Sequence, residues 1–300
     1  MADRVTGRFQ TPAPPEMEIL KVNDPVLTEL LEPKLRLIYG YSSPLFLDKT
    51  LVGSGTFIAW NDQFGILTAH HVPHNPLDSS LRFNFSASSQ QRLGLALVEF
   101  AHCFEFEMRN LSLVNIAAPV DSEDPGRGPD LAVIKLGNKA VVEAIAARKL
   151  FYRLDVRTFE RLECSLRDDG IFVICGAAKE CEQTGGPELG FTEVMTEALT
   201  TYYGGMVPPS GRRFQQDGYH YAELGVEYAT HDGLPGTFGG VSGGGLWRIE
   251  VSANAQGRYT VSDPVLAGVA FYQTAVVDDQ RKIRCHAGDA IYTEALNQLI

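Results

Sequence analysis

The chain has 300 residues, of which 44% are hydrophobic and 21% charged, with a formal net charge of -11. That apolar fraction excludes a largely disordered chain, and the length fits one large all-β domain or two smaller ones. The acidic balance repels phosphate, so neither nucleic acid nor an anionic membrane is expected as a partner.

No apolar run approaches the ~18 residues of a membrane span. The start, Met1-Ala-Asp-Arg, has no apolar stretch of the kind a secretory signal needs. The five cysteines are Cys103, Cys164, Cys175, Cys181 and Cys285. The count is odd and no pair is spaced C-x-x-C, which reads as reduced thiols in a cytoplasmic protein.

Residues 1–34 read as an N-terminal extension, with a proline-rich stretch at Thr11–Pro15. A short helix follows, with Asp24 as N-cap and Pro25 at its first position. From residue 35 the pattern turns to β. Short apolar runs punctuated by Gly, Pro, Asn and Asp occur at Leu35–Tyr39, Gly55–Trp60, Gly65–Thr68, Leu93–Phe100, Leu131–Leu136, Ile171–Cys175, Gly225–Tyr228, Gly245–Glu250 and Val265–Tyr272. Such spacing suggests a sandwich or a barrel. Helical patterns interrupt it at Lys139–Lys149 and Thr293–Ile300, and Tyr202–Tyr219 reads as a long surface loop.

Three segments carry chemistry. The first is Gly53-Ser-Gly-Thr-Phe-Ile-Ala-Trp, a turn at Asn61-Asp62, and Gly65-Ile-Leu-Thr-Ala-His-His-Val. The second is Pro129-Asp-Leu-Ala-Val-Ile-Lys-Leu, and the third is Gly239-Gly-Val-Ser-Gly-Gly-Gly-Leu-Trp. A serine hydroxyl attacks a carbonyl only when a base removes its proton, which an imidazole does near neutral pH. A carboxylate on the other ring nitrogen fixes the tautomer. Glycines around the serine let backbone N–H groups converge on a developing oxyanion.

In content and order, these segments resemble the signatures of chymotrypsin-like (trypsin-fold) serine peptidases, over roughly residues 50–300. The resemblance implies a mostly β fold of two six-stranded antiparallel β-barrels with a C-terminal helix. The peptidase domain would span 35–300, with its subdomain boundary near 150–165. It places His71 as base, Asp130 as acid and Ser242 as nucleophile, with Gly240 and Ser242 supplying the oxyanion hole. The stretch between His71 and Asp130 is long for the family, so an insertion is expected around Glu105–Arg127. Gly236 falls at the base of the primary pocket, Phe271 and Tyr272 shape its wall, and His286 or Asp289 lends it polarity. A pocket without a fixed charge implies an uncharged preference.

Val241 stands where cleavage-activated members carry an acid, which moves the resemblance toward the bacterial, organelle and viral branches. No cofactor or metal is implied. The partners are a protein or peptide substrate and, if the enzyme is gated, a protein activator. Two alternatives stay open: a catalytically silent binding module on the same fold, and a metal-dependent hydrolase using His70, His71 and His74.

Overall fold

The computed structural model describes residues 25–96, 103–119, 124, 126–167, 170–179, 183–184, 194–195, 199–204, 212–227 and 236–300. The first element is α1 (Pro25–Tyr41), which begins at the expected Pro25 but runs through Leu35–Tyr39. That run was expected to be a strand; a five-residue apolar run has no period of its own to separate the two. What decides is the longer stripe of Leu27, Leu31 and Ile38, which falls on one helical face and is fully or almost fully buried. Residues 25–34 therefore dock on the body of the protein through Leu27 and Leu31, with most of their other side chains exposed.

The first sheet is built from β1 (Ser42–Leu47), β2 (Thr50–Trp60) and β3 (Gln63–Thr68), followed by the short α2 (His71–His74). It continues with β4 (Arg92–Ala96), β5 (Cys103–Glu107), β6 (Leu111–Ala117) and β7 (Leu131–Leu136). After α3 (Lys139–Ala146), the two-residue β8 (Tyr152–Arg153) adds to β2 in parallel, and α4 (Thr158–Ser165) leads away. The strand order is β5-β4-β1-β2-β3-β7-β6, antiparallel throughout.

The second sheet starts with β9 (Ile171–Ala177). A small ribbon, β10 (Gln183–Thr184) with β11 (Val194–Met195), precedes β12 (Leu199–Gly204), β13 (Arg212–Gln216) and β14 (Tyr219–Glu227). Then come β15 (Gly245–Ile249), the ribbon β16 (Val251–Ala253) with β17 (Tyr259–Val261), β18 (Val265–Gln273) and β19 (Gln280–Ala287). The order is β12-β9-β15-β18-β19-β14-β13. A wide helical turn at Ala290–Ala295 and α5 (Leu296–Leu299) form the expected C-terminal helix.

Two expectations change. Tyr202–Tyr219 is not one loop: its described parts lie in β12, β13 and the start of β14. Polar and aromatic residues there hid a two-strand edge whose turn, Asp217-Gly218, has positive φ at both residues (51° and 86°). The pairing also gives two open paths of seven strands instead of two closed six-stranded barrels; among the described residues nothing joins β5 to β6 or β12 to β13. The segment expected to be an insertion supplies β5 and β6, which extend the first sheet at opposite ends.

Two-residue turns set the hairpin registers: Asp48-Lys49, Asn61-Asp62 and Asp278-Asp279 all have positive φ. The main core lies between the sheets, where Ile58, Trp60, Val173, Trp247 and Leu266 pack with Leu27 and Leu31 of α1 and Ile291 and Leu296 near the C-terminus. No helix among the described residues is long and apolar enough to cross a membrane. Because Leu31 is only 2% exposed in this shared core, Leu31→Ala should cost about 2–5 kcal/mol. Urea denaturation checks this, and a midpoint equal to wild type would mean that α1 is not part of the cooperative fold.

Candidate active site

The β2–β3 hairpin delivers His71. Beyond Thr68 the chain turns into α2, and β7 runs antiparallel beside β3 with Ala132 opposite Thr68. Continuing that register past the strand ends brings Asp130 level with His70 and within reach of His71. The Asp130 carboxylate takes two bonds from one residue: its Oδ1 accepts the His71 backbone N–H at 2.8 Å, and its Oδ2 faces His71 Nδ1 at 2.5 Å. The Asp130 side chain is 3% exposed and that of His71 30%. Burial pushes the Asp130 carboxyl up, but the bonds and charge interaction with His71 outweigh it and hold the group below the usual carboxylate range. With Nδ1 committed to Asp130, Nε2 is left as the working nitrogen of His71.

His70 and His74 do something else. Across the helical turn of α2 they stack at 4.1 Å between ring centroids. Burial first, then the neighbouring His74, lowers His70 to about 4. His74 Nε2 meets Asn115 Oδ1 at 3.0 Å. Among the described residues no group of three or more His, Cys, Asp or Glu is placed to share a metal.

Ser242 sits in the loop entering β15. The loop is pinned to both sheets: Ser54 N–H donates to Ser242 O at 2.7 Å, and Gly243 N–H donates to Ala270 O at 2.7 Å. Gly243 has φ +88°, and a Cβ there would lie 2.0 Å from Ser54 O and 2.2 Å from Thr68 Oγ1, so only glycine fits. Gly53 joins the two halves of the site, since a Cβ on it would meet Val72 Cγ2 at 2.6 Å and Ser242 O at 3.0 Å.

The peptide planes around Ser242 are fixed from behind. Lys179 N–H donates to Gly239 O at 2.7 Å, and Gly244 N–H donates to Val241 O at 2.8 Å. A peptide's C=O and N–H point in opposite directions. These two bonds therefore turn the N–H groups of Gly240 and Ser242 away from their anchors. Neither N–H has a recorded partner among the described residues. Gly240, at φ +94°, allows the turn between the two planes. Ser242 Oγ donates to Phe271 O at 3.5 Å, and no bond within that limit joins it to His71 Nε2 among the described residues.

The residues expected to line the pocket spread out. Gly236 is exposed, with its O accepting from Arg281 Nη1 at 2.7 Å. The Phe271 ring is buried against Tyr221 and His286, and it is the Phe271 backbone that faces Ser242. Tyr272 packs over Gly126. His286 is not at a pocket surface: it is fully buried, and its Nε2 accepts the Asp130 backbone N–H at 2.8 Å. Burial lowers it to about 4, so it is a neutral support beneath the acid. Asp289 instead pairs with His220 at the edge of a separate cavity of about 340 Å³ lined by Leu162, Leu166 and Phe214. Val241 is buried among Phe172, Ile174 and Leu246 and presents no acid.

Three residues were missed in sequence. Ser54 is buried and bonded into the serine loop. Gln273 bridges Phe238 N–H and Thr237 Oγ1, and Arg281 Nη1 reaches Gln273 Oε1. Of these only Ser54 left a sign, a lone hydroxyl between two glycines in an apolar strand.

No protein-family model and no curated protein matches the chain. Among solved structures, the thermostable serine protease AL20 from an extremophilic microorganism is similar over 86% of this chain and 96% of that one, at 12% identity and a TM-score of 0.45.

The buried histidines generate a pH prediction. Unfolded, His286 titrates near 6.5; folded, near 4. Below pH 6.5 the unfolded chain takes up a proton that the folded chain refuses, so stability falls as pH drops toward about 4 and levels off below it. His70 contributes with the same sign. His286→Gln, which keeps an acceptor for Asp130 N–H, should reduce the slope of unfolding free energy against pH in that window by about one proton. Urea titrations at several pH values measure it, and an unchanged slope would show that the folded imidazole titrates normally.

Proposed function

We propose that this chain is a serine endopeptidase that cleaves peptide bonds through Ser242, His71 and Asp130. The observation that carries the reading is the pairing of both Asp130 carboxylate oxygens with His71, next to a glycine loop whose Gly240 and Ser242 N–H groups have no partner among the described residues. Mechanistically, His71 Nε2 takes the Ser242 Oγ proton as that oxygen bonds to the scissile carbonyl carbon. The carbonyl oxygen becomes an oxyanion held by the Gly240 and Ser242 N–H groups. The imidazolium then returns the proton to the leaving amine, giving an acyl-Ser242. Water, deprotonated by His71, attacks the acyl carbon and releases the acid product and Ser242.

A gated form of this enzyme is favoured by one observation. Ser242 Oγ meets Phe271 O at 3.5 Å and makes no bond to His71 among the described residues; a gate would act by turning it toward His71. Such loosened geometry also occurs in resting hydrolases without gating. A protein activator or the substrate itself would supply the rotation. Cys164 and Cys285, in no disulfide among the described residues, support a reducing, cytoplasmic setting for the enzyme.

A fluorophosphonate probe should label the wild-type chain at Ser242, and Ser242→Ala should abolish labelling. Labelling that survives Ser242→Ala defeats the assignment. Wild-type labelling that needs added cell lysate supports the gate, whereas rapid, complete labelling without additions removes it. On a cleavable peptide, Asp130→Asn should lower turnover by about 10⁴-fold, because the imidazole loses its fixed tautomer. Turnover within a few-fold of wild type would take Asp130 out of the mechanism.

A further inference from the structure

Ser54 lies in the middle of β2 and is 1% exposed. Every polar atom it owns is used. Its Oγ accepts the N–H of Ala177 at 2.8 Å and donates to Gly240 O at 2.7 Å. Its backbone N–H donates to Ser242 O at 2.7 Å. Its backbone O accepts Thr68 Oγ1 at 2.7 Å, on the strand that leads to His71.

The hydroxyl holds one peptide plane flanking Gly240 directly and is tied through the end of β9 to the residue that holds the other. The plane on the C-terminal side carries Gly240 O, which the hydroxyl holds directly. The plane on the N-terminal side carries the Gly240 N–H itself, and its carbonyl, Gly239 O, is held by Lys179 N–H. Lys179 follows closely after Ala177 at the end of β9, whose last N–H is bonded to the same hydroxyl. A glycine at φ +94° has no side chain to limit its rotation, so its orientation depends on such outside bonds. Packing around the hydroxyl is tight: a Cβ on Gly176 would lie 3.1 Å from Ser54 Oγ. Water therefore has little room to substitute.

We infer that Ser54 is a positioning residue that sets the oxyanion donors by clamping Gly240 between its hydroxyl and the end of β9. The inference rests on the Ser242 reading above. Ser54 touches neither the substrate nor the transferred proton. Its effect reaches the reaction through the direction of the Gly240 N–H.

The test uses the full chain in whichever condition labels wild type fastest, and compares the fluorophosphonate rate constant of the folded protein with its thermal midpoint. Ser54→Ala should label roughly 10- to 100-fold more slowly, below the cost of about 10²–10³ for deleting a hole donor outright. Ser54→Cys, which keeps a weak S–H donor, should fall between the two. A purely structural Ser54 would lower the midpoint and the labelled fraction while leaving the rate constant of the folded protein unchanged, and that result overturns the inference. Should Ser54→Ala fail to fold, wild-type labelling by Ser54→Cys overturns it equally. Wild type that never labels at Ser242 removes the parent reading, and this one with it; wild type that labels beside an equally fast Ser54→Ala removes only this one.

Discussion

Ser54 stands where β2 of the first sheet meets β9 and the serine loop of the second, with backbone against backbone. At this point Gly243 has no space for a Cβ; Ser54 N–H and Oγ bond across the gap, while Ser54 O holds Thr68 of its own sheet. The two sheets carry different parts of the site: His71 and Asp130 belong to the first, Ser242 and Gly240 to the second. Neither sheet alone assembles the constellation. The close approach is possible only because the facing positions, Gly53, Gly176 and Gly243, carry no side chain.

Around this contact the interior separates by chemistry. Apolar side chains from both sheets fill the space above and below it, with Trp60 and Trp247 fully buried. Asp130 and His286 form a buried polar pair beside it. The Asp130 carboxylate is turned to His71, and its backbone N–H to His286. An ionised carboxylate that is 3% exposed is costly unless paired. The paired bonds to His71 meet that cost, and they orient the imidazole at the same time. A neutral His286 serves as an acceptor there without adding a second positive charge beside the acid.

Much of this was legible in the residues. The hairpin turn at Asn61-Asp62, the strand opening after Asp130 and the glycine run around Ser242 are local features, set by turn chemistry and by alternation along short strands. Where expectation and structure part, the deciding contacts lie outside the misread segment. Leu35–Tyr39 is helical because Leu27 and Leu31 extend its buried stripe. β12 pairs with β9 and β13 with β14, through segments whose residues leave little hydrophobic pattern. His286 looked like a polar pocket residue, but β19 carries it beneath Asp130, 156 positions away.

The sequence by itself determined the chemistry on offer: a serine among glycines, a histidine after an apolar strand and an aspartate opening another, in an acidic, β-rich chain. Residue type and local spacing are enough for that, because nucleophile, base and turn preferences are properties of single residues and their neighbours. Only the tertiary structure decided which groups meet. It committed His71 to Asp130 rather than to its neighbours His70 and His74, buried His286 behind the acid, and placed the Ser54 hydroxyl against Gly240. Each of these is a contact between segments far apart along the chain, and such a contact leaves no periodic trace in the sequence.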